Sequence, residues 1–197
     1  MQQTDKLSRE ERRFIYGWFN AMLARELSDE QLSSLQAGKF DDFFAFLAEL
    51  GFGLEIAKFQ AELAASSQLE FPRLELAADF AQLFLLEGSL SAIPYASAYL
   101  QNEVLAQNLA EMDALLARFA LQINRESKEP SDHICVYLSV LDKLLEQGAE
   151  AEIKAFLEQQ LNSWLPIWAE KAVEIKSQTL LYQSLVRLLE KFVRFDV

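Results

Sequence analysis

Apolar residues return every three or four positions along nearly the whole chain, and little interrupts them. Phe14, Trp18 and Met22 stand four apart, beside Ile15, Phe19 and Leu23. Leu105, Leu109, Met112, Leu116 and Phe119 keep the same spacing, as do Ile134, Leu138, Leu141 and Leu145, and then Leu181, Leu185, Leu188 and Phe192. That period gathers side chains on one face of an α-helix; a strand would alternate every second residue. No stretch alternates with β-branched enrichment, and 6 Gly and 4 Pro are too few for a turn-rich β fold of 197 residues. Hydrophobic residues make up 51% of the chain, enough for a sizeable core. The expected class is all-α, a bundle of roughly nine or ten helices in two lobes.

Local signals place the helices. Ser8 with Glu11, and Ser28 with Gln31, read as capping boxes opening the first two. The first carries a wide aromatic stripe that should be well buried. Gly38 should end the second helix. A third is expected over 41–50, stopped by Gly51 and Gly53, and a fourth over 54–67. Pro72 permits a fifth helix start, on which Leu83 and Phe84 are expected in the core. Residues 87–94 break the pattern and should be a loop, with turns or a short helix over 95–101. A long sixth helix follows. The polar run QINRESKE (122–129) is the best candidate hinge. A helix should open at Pro130 and end at Gly148, another should span 149–164, and Pro166 should start the next turn or helix, with Trp164 and Trp168 in the core. These marks divide the chain into an N-terminal lobe (1–121), a hinge (122–130) and a C-terminal lobe (131–197), together one functional domain.

Composition excludes several activities. The formal charge of −12 repels phosphate backbones, so nucleic-acid binding is not expected. The same acidity either keeps the chain soluble or attracts a basic peptide. The single cysteine, Cys135, permits neither an internal disulfide nor a Cys-based zinc site, and its apolar neighbours predict a buried, inert thiol. The only histidine, His133, would need carboxylates alone as co-ligands. No Gly-rich phosphate loop or nucleophile elbow is present. Ser131, Asp132 and His133 have the composition of a catalytic triad but are consecutive, and helical neighbours diverge by roughly 100°, so they lack its geometry. No catalytic, metal or cofactor site is expected. The polar residues 1–6 lack a signal-peptide core, and no apolar run reaches a membrane span; a cytoplasmic protein without membrane insertion is expected.

Two segments carry a specific resemblance. RLELAADFAQLFLLEGSLSAIPYASAYL (73–100) and EPSDH (129–133), the latter followed by Ile134, Tyr137 and Leu138, resemble the TorD branch of the redox-enzyme maturation chaperones, which also include the DmsD- and NarJ-like proteins. The ELAADF and PYASAY wording lies nearer the TorD branch; DmsD-like relatives more often carry Pro-Trp where this chain has Pro94-Tyr95. A weaker match covers FLEQQLNSWLP (156–166), where relatives often have histidine at the position of Gln160; IYGWF (15–19) and ELSDEQL (26–32) also fit. The resemblance implies an all-helical cytoplasmic chaperone that binds an apo molybdoenzyme, trimethylamine-N-oxide reductase, and its twin-arginine leader. Such a chaperone keeps its client open to the molybdenum cofactor and delays export. A sister chaperone for a dimethyl-sulfoxide or nitrate reductase is the alternative. The resemblance further implies a monomer or a lobe-swapped homodimer, with residues 122–129 as the hinge for exchange. Guanine-nucleotide binding, associated with the family, would offer an enzyme reading, which the missing phosphate loop opposes.

Residues 87–99 and the helix start at Pro130 are expected to line one client groove. The expected client-binding residues are Pro94, Tyr95, Ser97, Tyr99, Glu129, Pro130, Asp132 and His133. Glu129 should fall near the N-cap and Asp132 near the third helical position, where carboxylates accept free backbone donors, and His133 should bond to the loop opposite. Asp132 and His133 either fasten the lobes or touch the client. Tyr95 and Tyr99 join an apolar ring to a polar tip, which suits a partly wet groove.

Overall fold

Both capping boxes form, each with its two reciprocal hydrogen bonds: Ser8 with Glu11 at the head of α1 (Arg9–Leu23), and Ser28 with Gln31 at the head of α2 (Asp29–Gln36). The computed structural model describes residues 7–86, 88–121 and 131–197. Among them are ten α-helices and no strand; α3 (Asp41–Leu47), α4 (Gly53–Ser66), α5 (Pro72–Phe84), α6 (Asn102–Arg118), α7 (Ile134–Gln147), α8 (Glu150–Ala155), α9 (Leu165–Glu174) and α10 (Leu181–Asp196) complete the set. The all-α class is as expected.

Several boundaries differ from the sequence reading, each for a local reason. The helix expected over 41–50 gives way after Leu47 to a π turn (Ala48–Phe52), because Gly51 takes φ +107°, outside helical space. Gly53 does not stop a helix; it begins α4. The helix expected over 149–164 is interrupted by a second π turn, Phe156–Leu161. The helix expected at Pro130 opens at Ile134, with His133 as its N-cap. Phe14, expected within the buried stripe, is 58% exposed, since the stripe that packs is Ile15, Trp18, Phe19, Met22 and Leu23. Cys135 is half-buried rather than fully enclosed. Pro130 and the hinge expected over 122–130 lie outside the described residues.

Contacts divide the chain into two compact units that each draw on both sides of that segment: Met1–Ala24 with Tyr95–Ser163, and Arg25–Pro94 with Trp164–Val197. This division differs from the lobes 1–121 and 131–197.

In the first unit α1 packs along α7, and α7 also meets α6 and α8. Arg13 grips Asp142 with two hydrogen bonds (2.7 and 3.1 Å), and Arg9 and Arg12 converge on Glu150 (2.9 and 3.2 Å). In the second unit α10 is the central helix, meeting α4, α5 and α9. Its face from Leu181 to Val193 is buried. Tyr182 lies edge-on to Phe80 and Phe84, and Phe84 meets Trp168; such aromatic pairs add to simple burial. Leu83, Phe84, Trp164 and Trp168 are all buried, as expected. Asp79 of α5 fixes the approach to α10: its buried carboxylate accepts the Gln178 N–H (2.7 Å), the Thr179 N–H (2.7 Å) and the Thr179 hydroxyl (2.8 Å).

Candidate functional site

The resemblance segments end in a short chain crossing within the first unit. After a 3-10 turn at Ala96–Ala98, the chain runs through Gln101, whose backbone is extended, into α6. Before that turn, Tyr95 forms an isolated antiparallel bridge with His133. The Ala96 N–H donates to the Asp132 carbonyl (3.0 Å) and the Ser97 N–H to the Asp132 carboxylate (2.8 Å). The rings of Tyr95 and His133 meet edge-on, 4.9 Å between centroids and 67° between planes. His133 Nδ1 accepts the Cys135 N–H (3.2 Å), capping α7. In the neutral ring that bond leaves the proton on Nε2.

The structure therefore gathers Tyr95, Ser97, Asp132 and His133 at one place. Asp132 and His133 are 3% and 6% exposed, and both spend acceptors on backbone donors: they tie the 95–97 segment to the head of α7. Asp132 precedes the cap and does not lie inside the helix, because the helix begins four residues later than the Pro-based expectation. Ser97 and Ala98 face solvent, and Tyr95 and Tyr99 are half-buried. Burial pushes the Tyr99 hydroxyl above its ordinary range, so it stays neutral. Pro94 is buried in the second unit. Glu129 lies outside the described residues.

A second polar cluster was missed from sequence. The Tyr137 hydroxyl donates to Asn108 of α6, and the Gln160 amide donates to Glu111. The Gln160 carbonyl accepts from Ser163 Oγ (2.9 Å) and Asn108 Nδ2 (3.4 Å). Burial raises the Tyr137 hydroxyl too, with the nearby Asp132 charge adding to it. The signals were a polar residue, Asn108, inside an apolar stripe, and the position of Gln160 within the resemblance to relatives.

No described group of three or more His, Cys, Asp or Glu side chains is placed to hold a metal ion. No described helix is long and apolar enough to cross a membrane. The polar groups at residues 95–97 and 131–135 fasten backbone within an all-α fold. Residues 48–170 match the family described as nitrate reductase delta subunit. The chain is 54% identical over 198 residues to the chaperone protein TorD of Actinobacillus pleuropneumoniae serotype 3, with all of both chains covered. It is 54% identical to that of Actinobacillus succinogenes over 93% of this chain and 95% of the relative, and 32% identical to that of Vibrio vulnificus over 100% and 97%. The chain belongs to the TorD family of chaperones, which act on a redox-enzyme partner during its maturation. It is a chaperone-family protein.

Proposed function

We propose that this chain is the cytoplasmic, system-specific chaperone of apo trimethylamine-N-oxide reductase, holding that client and its twin-arginine leader until the molybdenum cofactor is inserted. The observation that carries this reading is full-length likeness to relatives named TorD, 54% over the whole of both chains. The TorD-like wording of residues 73–100 supports the choice of client.

In this reading Ser97, Tyr95 and Tyr99 present the client-facing surface, since they are exposed or half-exposed. Asp132 and His133 are buried and act by holding that segment in place. Pro94, Glu129 and Pro130 belong to the same proposed client-binding set. The apolar part of the leader supplies most of the affinity: burying about 400 Å² contributes about 10 kcal/mol gross, partly offset by ordering the peptide. Exposed arginine–carboxylate pairs contribute about 0–1 kcal/mol each.

The test is co-purification of the full chain with cofactor-free trimethylamine-N-oxide reductase, with and without its leader, beside dimethyl-sulfoxide and nitrate reductases. Preferential capture of the first is expected. Equal or stronger capture of another reductase would replace it with the second reading, a sister chaperone, which the nitrate-reductase description of the matched family favours.

A further inference from the structure

α4 and α10 pack along each other in the second unit, and their outward faces gather cationic and apolar side chains. On α4, Leu54 and Lys58 stand one turn apart; on α10, Arg187, Lys191 and Arg194 follow helical spacing, with Phe195 beside them. A cleft of about 540 Å³ runs past Phe52, Arg187, Lys191, Arg194 and Phe195. A smaller one of about 200 Å³ shares Arg187 and Lys191 with it and extends to Leu54 and Lys58.

The charges are layered. Glu55 and Glu190 form the floor, 7% and 3% exposed. Lys191 pairs with Glu55, while Arg187 (3.7 Å) and Arg194 both converge on Glu190. Two arginines on one carboxylate leave a positive surplus, and Lys58 adds a further charge near Glu55. Glu170 stands on the cleft wall, so four cations face three carboxylates, two of them buried. The cationic heads remain outside: the side chains of Lys191 and Arg194 are 46% and 66% exposed. Leu54 and Phe195, 63% and 42% exposed, supply apolar surface beside them. A visitor thus meets positive charge and grease on a chain of net charge −12.

We propose that the α4–α10 face is a second docking surface, taking an acidic amphipathic helix of a partner protein. Its carboxylates would meet Lys58, Arg187, Lys191 and Arg194, and its apolar side would cover Leu54 and Phe195. A twin-arginine leader carries the wrong sign for this face. A free anion would leave Leu54 and Phe195 uncovered.

The probe is a fluorescent heptad peptide of Leu and Glu, titrated against the full chain. Saturable binding is expected, weakening at least about tenfold between low and high salt. A similar loss is expected in the double variant Leu54→Ser, Lys58→Glu, which keeps Lys191 on Glu55 and both arginines on Glu190. Arg194→Gln, which leaves Arg187 on Glu190, should weaken binding in the same direction and guards against misfolding of the first variant. Both variants should hold a leader peptide as the parent chain does, so failure here is distinct from failure of the proposed function. Equal binding of a sequence-scrambled peptide, unchanged binding by folded variants, or displacement of the peptide by tripolyphosphate at comparable concentration would each overturn the proposal.

Discussion

Two buried aspartates do similar work in different units. Asp132 accepts the Ser97 N–H and sits 3% exposed at the head of α7. Removing it takes a charged acceptor from the Ser97 N–H, so Asp132→Ala should lower unfolding free energy by about 1–3 kcal/mol, read from urea denaturation midpoints. Asp132→Asn, which keeps an acceptor, should lose less. Asp79 accepts three donors from Gln178 and Thr179. Asp79→Ala should cost about 3 kcal/mol or more by the same measurement, because each of those donors loses a charged partner. A loss below that of an ordinary surface substitution would show that solvent replaces the carboxylate freely. Asp132 was legible as part of EPSDH, but its partner was not; Asp79 lay inside ELAADF without any sign that it would reach Thr179.

At the scale of single elements, the helix starts were the most legible features, since a capping box is complete within four residues. Ser8→Ala should destabilise by about 1 kcal/mol, seen as a lower thermal midpoint. The Glu11 carboxyl is held below its ordinary value by hydrogen bonds from Ser8. Its folded value is depressed, so its contribution is present above the unfolded value and fades as pH falls through the folded one. The gap in thermal midpoint between the parent chain and Glu11→Gln should therefore be open near neutral pH and close in mild acid. A gap that widened in acid would contradict this. The π turns were not legible, because the apolar spacing runs on through them. Gly51, expected to stop the third helix, marks the first of them: at φ +107° a side chain is strained, and Gly51→Ala should destabilise by about 1 kcal/mol or more in the same melts.

For the whole molecule, the sharpest expectation concerns salt. If apolar burial carries leader affinity, raising ionic strength should weaken binding measured by calorimetry without abolishing it; complete loss would move the affinity to the charges. The sequence by itself determined that the chain is helical, where most helices begin, which faces are apolar and which family motifs it carries. Those properties depend on spacing and caps within a few residues, where covalent neighbours fix the geometry. Only the tertiary structure decided that Ser97 meets Asp132, 35 positions on, that Asp79 meets Thr179, 100 positions on, and that each compact unit combines two separate stretches of chain. Amphipathic helices of similar length and greasiness are interchangeable partners as far as local pattern goes. The choice among them rests on packing shape and on pairing every buried polar group, and those are properties of the assembled fold.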